Sequence, residues 1–529
     1  MSEHFITSIP LYVNEYAYSV LTKRFNVAHH IYNCFLGECK KRRDKYLKSD
    51  LYKEAGTKYK EFAAKKVGDK KEINELFKSA ITESGFYLRS NSHGRDNSLE
   101  QFAASTIQRT WLGDHIDSHC RNKLMERAFK AAQRSLKKEL NKRTGGYERP
   151  KLRFKRFGRD YICSLEGKNS ISPLKFEFKN EIYQVVWRGL SLPVYFDEND
   201  DTIKHAINNI ENISYIRLKR KPVRGKWQYY ADLIIDGKRL LKEKNKLGEG
   251  VVGGDLGPGT LACVSNEFVI LRSTASNVLE SNAYLKLEKQ RRIIQRQIDR
   301  QRREANPDNF NENGTIKKGS KWIVSKRQKH NENQLADLQR RIKEMRRDNH
   351  GAIANELRSH GDEFRLDKDS YKGWQRSRYG SSLLKHAPGM LVELIRDKFE
   401  NTGGKIDEIN TYDSKSSQTC PNCGDISKKQ LDERIHDCKC GFIMQRDIVS
   451  AIVNKFWNTE KKTLDVDKSK RFIKDKRSVL QAGIEKILQS VREGHLLPST
   501  FGTIPELERI ACQFDDQISS DACCLQKTT

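Results

Sequence analysis

Two tight cysteine pairs constrain this chain more than any other feature. Cys420-x-x-Cys423 and Cys438-x-Cys440 are separated by fourteen residues, and Gly424 and Gly441 each follow a pair. That spacing lets four thiolates present themselves tetrahedrally to one Zn2+ at ~2.3 Å, with a glycine leaving each knuckle turn unhindered. Four thiolates leave no open coordination position, so the expected zinc is structural. Seven residues after Cys440 comes Asp447, in a Gln-Arg-Asp triplet. It opens a helix whose Ile448, Ala451, Ile452 and Phe456 recur at packing intervals. A zinc knot placed directly before an acidic helix start is the organising question of the sequence.

The chain holds 99 Lys and Arg against 70 Asp and Glu, a net charge of +29 over 529 residues. An excess of that size makes polyanions the natural partners, nucleic acid foremost. No apolar run approaches the ~20 residues of a membrane helix, and MSEHFITSIPLYV lacks the basic start and apolar core of a signal peptide. A cytoplasmic protein with no membrane partner is expected. The remaining cysteines (Cys34, Cys39, Cys120, Cys163, Cys263, Cys512, Cys523 and Cys524) are scattered, and in a reducing compartment they read as small apolar groups or free thiols.

The hydrophobic period divides the chain into a multidomain α+β protein. Residues 1–20 supply the first strand or strands of a β module. Residues 21–148 read as helical, with apolar residues three and four apart between Lys and Arg, until TGGYERP breaks the pattern. Over 149–246 the period becomes two, rich in aromatic and β-branched residues with VRGKW as a hairpin turn, which predicts a small β-barrel. Its entry, KLRFKRFGRDY, interleaves Lys151, Arg153, Lys155 and Arg156 with aromatics. That mixture suits phosphate contacts with base stacking, and equally an edge strand with a solvated basic face. Residues 247–415 read as an α/β core interrupted by a helical hairpin at 281–349, with Leu287, Ile294 and Ile298 facing Leu335, Leu338, Ile342 and Met345. The ribbon occupies 416–446, a second part of the core 447–495, and a tail without strong periodicity 496–529.

Three acids fall at element ends. Asp255 closes the apolar strand VVGGD, Asp367 closes EFRLD, and Asp447 opens its helix. Two-metal phosphodiester cleavage needs acids delivered in this way around Mg2+ ions ~3.5–4 Å apart. Singly, each acid reads as a surface residue or a helix cap; together, in a strongly basic chain, they favour metal binding.

These stretches, GGDLGPGTLACV, RLDKDSYKGWQ and SQTCPNCG…ERIHDCKCG…QRD, resemble the split RuvC-like nuclease of the TnpB proteins and of their descendants, the compact type V CRISPR effectors. The resemblance spans roughly 150–495 and is most specific over Ser417 to Ala451. It implies a helical recognition region, a wedge-type β module and an RNase H-type α/β nuclease core with an inserted zinc ribbon. Asp255, Asp367 and Asp447 fall on the family's three catalytic acids, which hold two Mg2+, and the four cysteines fall on its ribbon. It further implies a guide RNA, a target DNA duplex with its displaced strand, and a prokaryotic cytosol or nucleoid, for a monomer or homodimer. Arg434 and Arg446 are candidates for phosphate contact or for structural ion pairs. One departure is evident: the family's second acid is glutamate, and Asp367 is one methylene shorter. Glu363, on the same strand face but four residues away, is a poor replacement. An RNA-guided DNA endonuclease is the first expectation, a guided binder with weak or lost cleavage (a repressor or recruiter) the second, and a transposase a distant third.

Overall fold

The structure is a computed structural model describing residues 4–65, 68–89, 97–140, 147–195, 197, 199–275, 281–369, 371–375, 380–430, 432–496 and 498–514. It divides into two compact units, Met1–Leu240 and Leu241–Thr529.

In the first unit, strand β1 (His4–Pro10) turns Phe5, Thr7 and Ile9 inward by simple alternation. Helices α1 (Glu15–Lys48), α2 (Asp50–Lys65), α3 (Lys70–Ser84), α4 (Leu99–Gln108) and α5 (Ser118–Arg134) follow. α1 holds together because Leu21, Phe25, Ala28, Ile31, Phe35 and Cys39 recur at helical spacing and are all fully buried. The β module comprises β2 (Ser164–Lys168), β3 (Leu174–Lys179), β4 (Ile182–Trp187), β5 (Leu190–Pro193), helix α6 (Asp201–Asn208), β6 (Ile213–Val223) and β7 (Lys226–Asp236). The β6–β7 hairpin turns at Arg224 and Gly225, both at positive φ (50° and 78°), the primed-turn geometry that matches strand twist.

The expected closed barrel does not form among the described residues. The sheet order is β1-β7-β6-β2, open at β1 and β2, while β3-β4-β5 makes a separate sheet joined through the isolated Leu11–Val194 bridge. Closure is blocked because α5 already covers the β2 edge. Arg127 Nη1 donates to the Ser164 carbonyl at 2.7 Å and the Cys120 thiol to the Glu166 carbonyl at 3.2 Å. Edge groups bonded to helix side chains are lost to strand pairing.

The second unit is built on β8 (Val251–Leu256), β9 (Thr260–Val264), β10 (Val269–Ser273), β11 (Glu363–Asp367) and β12 (Lys405–Ile409). They form one sheet in the order β10-β9-β8-β11-β12, with β8, β11 and β12 mutually parallel and the other pairs antiparallel. The hairpin of α7 (Asn282–Ala305) and α8 (Lys326–Ser359) interrupts the chain after β10, packing Tyr284 and Leu287 on Leu338 and Ile342. Helix α9 (Pro388–Glu400) joins β11 to β12. Then come the short ribbon strands β13 (Ile435–Asp437) and β14 (Ile443–Gln445), and helices α10 (Arg446–Phe456), α11 (Val466–Asp475), α12 (Arg477–Arg492) and α13 (Ile504–Gln513).

Alternation along the strands sorts residues to two faces. Val252, Phe364 and Leu366 pack on Ile353 and Leu357 of α8 and Leu391 and Ile395 of α9. On the opposite face Ala262, Val264 and Ile409 pack with Ile448 and Ile452 of α10 and Ile484 of α12. The sheet is therefore the middle of three layers. The tail expected to lack structure is helical as far as it is described: Leu507 and Ile510 of α13 are buried with Met444 of the ribbon. Residues 515–529 of that tail, with Cys523 and Cys524, lie outside the described residues, as do 141–146, which hold the Thr-Gly-Gly break.

Gly253 and Gly254 set how closely the layers approach. A Cβ at Gly253 would lie 2.0 Å from the Ala451 carbonyl oxygen of α10, and one at Gly254 would lie 2.5 Å from the Phe364 ring. Gly253→Ala must therefore push α10 off the sheet. Overpacking of this kind costs about 3 kcal/mol. We expect the thermal unfolding midpoint to fall by about 5–10 °C, measured by calorimetry on the full chain; an unchanged midpoint would contradict the contact.

Candidate functional site

The cysteine site is defined first by distances. The Sγ atoms of Cys420 and Cys440 are 3.8 Å apart and those of Cys423 and Cys438 3.6 Å apart, with all four within 4.8 Å of one another. Sulfurs ~2.3 Å from a common centre stand ~3.8 Å apart in a tetrahedron, so the four thiolates fit one Zn2+. Gly424 and Gly441, at φ 79° and 83°, close the knuckles. Each donates its N–H at 2.8 Å, Gly424 to the Cys420 carbonyl and Gly441 to that of Cys438.

The ribbon delivers the start of α10. Strand β14 pairs Gln445 with Ile435, and Gln445 then caps the helix, its Oε1 accepting from the N–H groups of Asp447 (2.7 Å) and Ile448 (3.0 Å). Capping is thus done by Gln445, which leaves the Asp447 carboxylate free for other contacts. Arg446 lies beside it, Nε to Oδ1 3.8 Å. Burial raises the Asp447 carboxyl above its ordinary range, while Arg446, Arg434 and a hydrogen bond from Gln445 pull it down. Both arginines therefore face the acid here; Arg446 also donates to the Gln430 carbonyl at 3.1 Å.

Asp255 and Asp367 meet Asp447 through register. β8 and β11 pair Gly253 with Arg365, which puts Asp255 level with Asp367 on the face covered by α10. The Asp255 carboxyl rises well above the usual carboxylate range, first through burial and then through Asp447, Asp367 and Asp369, against a hydrogen bond from Ser450. Like charges enclosed together in this way are stabilised by a divalent cation, and oxygen donors suit Mg2+. The carboxylates are looser than the thiols. Among the described residues, the four cysteines are the one set of three or more His, Cys, Asp or Glu ligand atoms all within 4.8 Å of each other.

Asp367 is held by partners the sequence did not reveal. Its Oδ2 accepts from Ser416 Oγ at 2.6 Å and its Oδ1 from Ser414 Oγ at 3.3 Å. Burial raises its carboxyl, opposed by Ser416, Asn454 and Ser414. Asn454 is fully buried and donates to the Gly254 carbonyl at 2.8 Å. A signal was available: Asp447, Ser450 and Asn454 are polar residues three and four apart in the otherwise apolar DIVSAIVN. Asp369 was also missed. Burial and the neighbouring Asp367 push its carboxyl up to about 7.

In the first unit, Lys151, Arg153, Lys155 and Arg156 lie on an extended strap that pairs with no strand. α1 holds it: Asn33 exchanges two hydrogen bonds with the Lys155 backbone (2.8 and 2.9 Å), and the Lys155 ammonium sits 5.6 Å from the Tyr32 ring. Phe157 stacks on His30 (5.7 Å, 19°). Phe154 is 50 % and Phe157 61 % exposed. Lys151, Arg153 and Arg156 face solvent, Arg156 with Asp160 3.6 Å away.

Residues 389–453, which run from α9 through the ribbon into α10, match the Cas12f1-like TNB domain family. The resemblance to the TnpB proteins and compact type V effectors is borne out by this match. No curated protein sequence matches the chain. Two similar solved structures are those of a Cas12f1-sgRNA-target DNA complex (13% identity, 85% of this chain and 98% of that one, TM-score 0.39) and a CRISPR-Cas12f ternary complex (15% identity, 84% and 85%, TM-score 0.28). Neither superposes closely enough to bear on the site.

Zinc content tests the ribbon directly. Elemental analysis should find one zinc per chain, falling below about 0.1 in Cys420→Ser/Cys423→Ser, with earlier melting of the second unit because the ribbon strands lose their tie. Full-length protein with no zinc and an unchanged melting curve would remove the metal from the account.

Proposed function

We propose that this chain, similar to the Cas12f1-like family through its ribbon and third acid, is an RNA-guided DNA endonuclease. The observation that carries the reading is the convergence of Asp255, Asp367 and Asp447 on one face of the sheet, beneath a helix whose start is capped from a four-cysteine ribbon. Mg2+ held by these acids would neutralise charge at a scissile phosphate and supply a metal-activated water. The protein's own groups then have distinct tasks. Asp255 and Asp447 offer carboxylate oxygens from the sheet and from the helix start. Ser414, Ser416 and Asn454 keep Asp367 ionised and oriented. Arg446 and Arg434 limit repulsion around Asp447.

The net charge of +29 and the basic, aromatic strap at 151–157 support nucleic-acid partners. In this reading a guide RNA pairs with one DNA strand, the protein reads heteroduplex shape and a short flanking duplex motif, and the displaced strand passes the same acids. The helical part and β module of the first unit would grip the guide–target duplex. No helix among the described residues is long and apolar enough to cross a membrane, and a cytoplasmic or nucleoid setting fits. A guided repressor or recruiter stays the second reading because Asp367 replaces glutamate.

Co-expression with the noncoding DNA flanking the gene, followed by sequencing of the bound RNA, supplies the guide. Matching duplex DNA with Mg2+ should then be cut by the native chain, and at least ~10³-fold more slowly by Asp255→Ala with RNA retention unchanged. Tight guided binding without cutting would establish the second reading, and absence of bound RNA would reject both. Arg153→Glu with Phe157→Ala should weaken RNA retention about tenfold, by filter binding at fixed salt, without moving the melting midpoint.

A further inference from the structure

The second acid of the proposed site stands on the strand end as Asp367, yet that side chain is already committed. Both of its oxygens accept serine hydroxyls, it is 7 % exposed, and its carboxylate is one methylene short of the glutamate the motif calls for. Both serines lie in the segment that leads from β12 into the ribbon. Asp367 is thereby a latch between the strand end and the ribbon entry.

Asp369 follows two residues later. The Lys368 N–H still donates to the Ile409 carbonyl at 2.7 Å, so the ladder with β12 extends one residue past β11. Alternation then returns Asp369 to the face that carries Asp255 and Asp367. Its level along the sheet matters equally. α10 runs against β8: Lys455 donates to the Val251 carbonyl, Asn454 to that of Gly254, and Ser450 hydrogen-bonds Asp255. Asp447, three residues before Ser450, lies ~4.5 Å further along the helix axis, past Asp255. Two strand residues past Asp367 is a step of ~6.6 Å in the same direction. Asp369 is thus nearer than Asp367 to the level of Asp447. Among the described residues it makes no hydrogen bond or ion pair, yet its charge is felt at Asp255. A second feature points to a ligand: the Oδ1 of fully buried Asn454 has no partner, although the same amide donates into the junction of Gly254 and Asp367.

We propose that Asp369, with Asp255 and Asp447, holds the divalent cation in this chain, while Asp367 serves as a positioning residue that fastens the ribbon entry to the sheet. The assignment rests on the nuclease reading above. It explains how a chain that lacks the glutamate can keep a metal site: the reach lost at Asp367 is recovered two residues downstream.

The test is binding of Mn2+ alone to the full zinc-loaded chain, followed by the electron paramagnetic resonance signal of free Mn2+. Asp255→Asn and Asp369→Asn should each weaken binding at least about tenfold. Asp367→Asn should weaken it less than about threefold but lower the melting midpoint, since it loses its charge-assisted bonds to Ser414 and Ser416. Asp369→Asn with native Mn2+ affinity would overturn the assignment, as would Asp367→Asn that melts normally and loses Mn2+. If Asp255→Asn also binds normally, the metal-site reading itself fails, an outcome distinct from failure of Asp369 alone. In guided cleavage with Mg2+, Asp369→Asn should fall at least ~10²-fold, and Asp369→Glu should recover part of it.

Discussion

Everything in the second unit depends on how near α10 can lie to β8. The Ala451 carbonyl occupies the space where any side chain at Gly253 would begin. Close contact lets Asn454 and Lys455 reach strand carbonyls directly, and it turns the helix into a ruler along the sheet. Asp447 then falls beyond Asp255 on the same face. A wider spacing would leave the acids facing one another across a gap that no single cation could bridge. The glycine pair in GGD is therefore as much a part of the acidic site as the aspartate after it.

The ribbon sets the other end of that ruler. A helix start needs its free N–H groups satisfied, and here Gln445, on a ribbon strand, does so. Cys420, Phe442 and Met444 share a core with Ile448 and Ile452, and α13 adds Leu507 and Ile510. Metal-held turns, strand pairing and apolar packing thus all bear on the position of one carboxylate. The zinc knot stands directly in front of Asp447 because it fixes where that residue begins its helix.

Much of this was legible in the sequence because its signals are local. Cysteine spacing, the apolar run ending in Asp255, the strand–helix–strand order around α9 and the heptad-like stripe of the helical hairpin all rest on neighbours within a few positions. The parts that escaped depend on distant partners. Barrel closure was expected from strand content, but Arg127 and Cys120 of α5 had taken the β2 edge. α13 looked like tail because its apolar face is short, although Thr503 and Glu506 carry a capping-box signature. Ser414, Ser416 and Asn454 gave no hint of converging on Asp367, since their meeting is set by β-sheet register and by helix-to-sheet spacing.

The most direct measurement is anomalous X-ray scattering from crystals of the full chain soaked in Mn2+, with data at the manganese and zinc edges. The account predicts zinc at Cys420, Cys423, Cys438 and Cys440, and manganese bounded by carboxylates of Asp255 and Asp447. Zinc at the cysteines with no manganese between those two aspartates, at saturating Mn2+, would contradict it.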